Sequence, residues 1–96
     1  MHWVAAEATA TAAALHAVTG EASYAGWYAT WWDHVADVFR DEQGGSWWHE
    51  LSPANQPSSL TWAGKPDVYH AFQATLLPRL PIAPTLATAL SKNLLP

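Results

Sequence analysis

The chain has no cysteine, which excludes a disulfide framework, a thiolate zinc site and a cysteine nucleophile. It is also poor in cations: Arg40, Lys65, Arg79 and Lys92 stand singly against eight acidic residues, for a formal charge of −4. Four scattered positive charges make no footprint for a phosphate backbone, so nucleic acid is excluded as a partner. No stretch approaches the roughly 20 apolar residues of a membrane span. The N-terminal "MHWVAAEATATAAALHAVTG" has no basic leader and carries Glu7, His2 and His16 within its apolar run. That pattern is wrong for a signal peptide and suits a buried helix of a soluble protein, with the cytoplasm as the expected location. No glycine-rich phosphate loop precedes a helix, because Gly44-Gly45 reads as a turn, and no G-x-S-x-G elbow surrounds Ser58 and Ser59.

What is present is apolar and aromatic. Half of the 96 residues are hydrophobic and seven are tryptophan. This is too apolar for a disordered chain, and it is more aromatic surface than so small a chain can cover by itself.

Periodicity and capping residues predict an all-α chain of about four helices joined by one long aromatic loop. Alanine dominates residues 3–18, with Thr19-Gly20 as a stop. Along this helix Trp3, Glu7, Thr11 and Leu15 recur every four residues on one stripe. A second helix is expected over residues 23–39, with Ser23 as N-cap and Tyr24, Trp27, Tyr28, Trp31, Val35 and Val38 as its packing face. "RDEQGG" breaks it, and "SWWHEL" suits a short extended segment before a loop containing Pro53 and Pro57. A third helix is expected over residues 66–77, with Pro66 at its first position, Asp67 at the positive end and Pro78 as its stop. A fourth follows over residues 85–92, and the tail "NLLP" is expected to fray. Four helices suit a small bundle, but the surplus of tryptophan fits a slice of a larger helical toroid better.

The polar groups gather in "WAGKPDVYHAFQ", residues 62–73. His70 and Gln73 share a helix face, with Lys65 and Tyr69 a turn apart on an adjoining one. A histidine near a helix N-terminus sits beside positive dipole charge, which favours the neutral imidazole that a general base requires. Position alone nonetheless favours a satisfied, partly buried histidine. Trp3 and Glu7 are one helical turn apart and could offer a ring for a sugar face and a carboxylate for its hydroxyls, or else a core tryptophan and a solvated acid. "WHE" at residues 48–50 opens like a zincin motif but lacks the second histidine. The five histidines are each more than ten residues apart, so spacing gives no ligand pair and no metal site is expected.

Taken in order, "HWVAAEA", "GGSWWHEL" and "WAGKPDVYHAFQATLLPRLP" resemble the C-terminal part of the N-acylglucosamine 2-epimerase superfamily, nearest to its bacterial aldose–ketose isomerases. The resemblance implies an (α/α)6 barrel, of which residues 1–96 correspond to the last third. It implies a monosaccharide substrate, proton exchange by two histidines, and no metal or redox cofactor. On this resemblance His70 and Glu7 are the catalytic candidates, and Trp3, Trp62, Lys65, Tyr69 and Gln73 the substrate-binding ones. The first catalytic histidine, in an H-x-x-E-W motif, would lie upstream, so the chain reads as a fragment whose Met1 is an imposed start. Isolated, such a fragment is expected to be inactive, and a small helical carbohydrate- or partner-binding module is the alternative.

Overall fold

The structure is a computed structural model that describes residues 1–83 and 85–92. The tail expected to fray, residues 93–96, lies outside the described residues. Helix α1 (His2–Thr19) ends at Gly20, whose φ of 72° takes the left-handed conformation that glycine tolerates and whose N–H returns to His16 O. That reversal starts α2 (Ala22–His34) at once, so Glu21 and not Ser23 takes the N-cap position. Helix α2 also stops earlier than periodicity predicts. Residues Val35–Phe39 form a π-helical turn closed by Arg40 N–H on Val35 O, which delivers both Val35 and Phe39 to the core.

The aromatic loop is folded rather than loose. Arg40 bridges Trp47, and β1 (Glu50–Leu51) pairs antiparallel with β2 (Pro57–Ser58). These two short pairings are the extended structure among the described residues, and the chain is otherwise helical, as expected. Glu50 is the organising group. Buried at 5% exposure, its carboxylate accepts from Ser58 Oγ at 2.8 Å, from Thr61 N at 3.1 Å and from Leu60 N. The Ser58 hydroxyl, and after it the Thr61 and Leu60 N–H groups, hold its pKa at about 2 against the opposing effect of burial.

Helix α3 (Tyr69–Leu76) begins three residues later than expected. Pro66 precedes it outside any helix, and Asp67 is the effective cap, its Oδ1 accepting from Tyr69 N at 2.9 Å and His70 N at 3.4 Å. The side chain satisfies N–H groups that would otherwise be orphaned, a stronger role than favourable charge alone. Pro78 does not end the helical path abruptly but sits within a 3₁₀ turn, Leu77–Arg79. Helix α4 (Leu86–Ser91) follows, with Thr85 Oγ1 accepting from Thr88 N.

The core is narrow and built on small residues. Ala5, Ala6 and Ala74 cluster with Val35, Phe39 and Trp47, flanked by Trp32, Val38, Leu51 and Ala71. Helix α2 buries none of its residues fully, and Trp27 of its expected packing face is exposed. The solvent-accessible area of 6226 Å² exceeds the ~5,400 Å² typical of a monomer of this mass. The radius of gyration of 14.3 Å likewise exceeds the ~12.5 Å of a compact domain of this length. Both excesses fit a slice of a larger helical assembly.

Two outcomes follow. Ala74, 1% exposed, has no room for a larger side chain, so Ala74→Leu lowers stability by about 1–3 kcal/mol, read as a lower thermal midpoint by circular dichroism. For Glu50, a folded pKa depressed from 4.5 to about 2 means stability that is fully present above the unfolded value and lost as pH falls through the folded one. Acid titrations of Glu50→Gln should therefore lack the parent's loss of stability across that window.

Candidate functional site

Close approach of α1 and α3 places the first turns of the two helices against each other. His70 Nε2 lies 3.9 Å from Glu7 Oε1, and the Trp3 ring centroid is 6.5 Å from that of His70. Tyr69 meets His70 edge-on at 5.0 Å, and Asp67 Oδ1 is 3.6 Å from His70 Nδ1. Four candidates from distant parts of the sequence, Trp3, Glu7, Tyr69 and His70, thus meet in one place. Gln73 lies one turn further along α3, half-buried.

Behind this group lies a histidine cluster that sequence spacing does not reveal. His2, 2% exposed, sits between His49 at 5.0 Å and His70 at 5.7 Å, both edge-on. Its backbone N–H donates to His49 O at 3.0 Å and so fixes the start of α1 to the loop. Burial, above all, lowers the His2 pKa from the ordinary imidazole value; the nearby His49 backbone, short of a formed hydrogen bond to the ring, opposes this, and the neighbouring rings of His49 and His70 reinforce it. Neither ring nitrogen of His2, nor Nδ1 of His49 or His70, has a hydrogen-bond partner. Separations of more than ten residues along the chain therefore gave the wrong expectation about ligand proximity: one donor atom each from His2, Asp67 and His70 lies within 4.8 Å of the others. The signal available in the sequence was His2 itself, a polar residue at the head of an alanine-rich buried helix.

The remaining candidates are held elsewhere. Trp62 stacks on His49 at 6.0 Å and 16°, so it reaches the site only through the histidine cluster. The Glu50 carboxylate sets its position by binding the segment just before it. Lys65 is further off: its ammonium pairs with Asp41, donates to Gly45 O at 3.0 Å and lies 4.1 Å above the Trp48 ring. Backbone N–H of Gly44 first, and Lys65 after it, lower the Asp41 pKa. Lys65 therefore closes the Asp41–Trp48 loop, and its charge is spent there. Burial acts to raise the Asp67 pKa, but the N–H groups of His70 and Tyr69 outweigh it and the net direction is down.

The other face of Trp3 and Glu7 borders an open, largely apolar groove that also takes in Leu15, Tyr24, Trp27 and Trp31. A second cavity of about 100 Å³, between α1 and α4 and lined by Ala10, Leu77, Leu80 and Leu86, has no titratable side chain among the described residues and offers no chemistry. None of the helices among the described residues is long and apolar enough to cross a membrane.

Residues 1–74 match the family described as N-acylglucosamine 2-epimerase (GlcNAc 2-epimerase). Over 92 residues the chain is 59% identical to a D-mannose isomerase of Thermobifida fusca, an alignment covering 95% of this chain and 23% of that protein. It is 53% identical over 91 residues to a D-mannose isomerase of Pseudomonas cannabina pv. alisalensis, covering 95% and 22% respectively. The chain spans about a quarter of the length of these curated relatives. Since the family match runs from α1 to Ala74 and takes in Trp3, Glu7 and His70 together, the chain belongs to the N-acylglucosamine 2-epimerase family.

Proposed function

We propose that the chain forms part of a sugar isomerase interconverting an aldose and a ketose of the mannose–fructose type, and that the isolated chain is inactive. The observation that carries this reading is the 3.9 Å approach of His70 Nε2 to Glu7 Oε1 with Trp3 alongside. The likeness to two proteins named D-mannose isomerase supports the substrate class. The rest of the barrel is the partner this reading requires, since the chain matches about a quarter of each relative. A cytoplasmic location belongs to the same reading and suits a chain without cysteine.

The chemistry is redox-neutral overall. In the ring-opened aldose a base removes the proton at C2, next to the C1 carbonyl, and electrons move onto O1 to give a cis-enediolate. Returning a proton to C1, while the proton of the O2 hydroxyl passes to O1 so that C2 becomes the carbonyl and C1 the alcohol, gives the ketose. Returning it to the opposite face of C2 gives the 2-epimer. His70 is the acid/base group contributed by this chain, and a second one comes from the remainder of the barrel. Glu7 orients the His70 ring and a substrate hydroxyl, while Trp3 covers an apolar sugar face and keeps water from it. Tyr69 and Gln73 border the sugar, whereas Trp62 and Lys65 contribute through the loop they hold.

The exposed aromatic groove supports a second reading, a non-catalytic module that binds carbohydrate or a protein partner. Titrating the isolated chain with mannose while following tryptophan fluorescence separates the two. Saturable quenching with a cooperative melt favours the module, and no response favours the barrel fragment.

The catalytic reading is tested in a chain extended upstream to the full length of a relative. Mannose-to-fructose conversion by His70→Ala should fall about 10²–10⁴-fold below the parent; activity within about threefold of the parent removes His70 from the mechanism. Glu7→Gln should cause a smaller loss in kcat and change the pH–rate profile, whereas an effect on KM alone would reduce Glu7 to a binding role.

A further inference from the structure

Buried polar nitrogens almost always have partners, and imidazole has a donor or acceptor to satisfy at each ring nitrogen. Against that rule, His2 leaves both ring nitrogens unpaired at 2% exposure, and His70 leaves Nδ1 unpaired beside it. A carboxylate oxygen, Asp67 Oδ1, lies 3.6 Å from His70 Nδ1. Two imidazoles and one carboxylate, converging with donor atoms within 4.8 Å of one another, are a ligand set suited to a borderline divalent metal. We propose that His2, Asp67 and His70 form a binding site for a divalent cation of the zinc class, with further positions open to water.

Tetrahedral zinc spaces its ligand atoms roughly 3.3 Å apart, so the group must contract to hold an ion. His2 is the fixed member, held on α1 by its backbone bond to His49 O and packed between two rings. Asp67 and His70 supply the movement, because their side chains remain 58% and 29% exposed. Asp67 can ligate through a free lone pair while continuing to cap α3. His49, edge-on to His2, stands where it can orient that ring from outside the ligand set.

The site has a consequence for His70 that rests on the isomerase reading, although binding itself does not. A cation takes the Nδ1 lone pair, so the neutral ring must keep its proton on Nε2, the atom facing Glu7. Loaded in this way His70 cannot accept a proton there, and the ion acts as an inhibitor of the base.

The test uses the untagged chain, freed of metal by chelation and titrated calorimetrically with Zn²⁺, with Co²⁺ absorption as a second reading of coordination. The expected result is one ion per chain, released by EDTA and bound more tightly at pH 8 than at pH 6, because both imidazoles must be unprotonated. His2→Ala and Asp67→Asn should each weaken binding at least about tenfold, by analogy with the loss seen when supporting groups around a metal are removed. Asparagine keeps the α3 cap, so Asp67→Asn decides the matter even where His2→Ala fails to fold, as judged by circular dichroism. His16→Ala, whose ring contacts Glu21 O at the far end of α1, should bind as the parent does. Saturation only at millimolar Zn²⁺, or Asp67→Asn binding within about threefold of the parent, overturns the proposal. Sugar turnover is not measured in this titration, so its failure leaves the isomerase reading standing.

Discussion

Ala5 and Ala6 of α1 share one core with Ala71 and Ala74 of α3, so the two helices approach through methyl groups and not through long side chains. Interaxial distance depends on the residues at the contact, and a larger pair here would move α3 outward and loosen the approaches made across it. The Glu7–His70 and His2–His70 approaches both span this contact. The alanine-rich composition of the first helix is therefore the condition for the site as well as a matter of helix propensity. Thr9, fully buried, fits the same seam by returning its hydroxyl to Ala5 O at 2.7 Å, so its own polar group is satisfied within the helix.

A second constraint comes from the loop, which reaches the core through Trp47 and Leu51. Its ends are fixed by charge. Glu50 gathers Ser58, Leu60 and Thr61, while Asp41 gathers Gln43, Gly44 and Lys65. Each carboxylate has its pKa lowered by the donors it collects, so each is bound more strongly as an anion than as an acid. The loop so held carries Trp62 stacked on His49, and His49 edge-on to His2.

The helices were legible because their signals are local. Gly20 as a stop and alanine over α1 act within a turn or two of themselves. The boundaries that moved, at Ser23, Phe39 and Pro66, are those where a neighbouring element intervened: the reversal at Gly20, the π-turn that serves the core, and the Asp67 side chain. The pairing of Trp3, Glu7, Tyr69 and His70 could be suggested by resemblance, but no spacing contains it, because α1 and α3 are separated by the whole loop. Lys65 shows the opposite failure. Its position a turn from Tyr69 holds only if the helix begins at Pro66, and once the helix starts at Tyr69 the lysine is free to turn back to Asp41 and Trp48. The histidine cluster was illegible for the same reason as the site, since distance along the chain says nothing about a contact made by packing.

Glu7 belongs to two surfaces at once. One carboxylate oxygen faces His70, and the side chain also borders the groove shared by Trp3, Trp27 and Trp31. That groove is part of the excess surface of the fold, and apolar surface of this kind is stabilised by being covered. Whatever covers it must also close over Trp3 and Glu7, and so lowers the local dielectric around the acid and the imidazole. The interaction between them strengthens as water leaves. Covering the groove and enclosing the candidate site are then one event, since Trp3 and Glu7 border both.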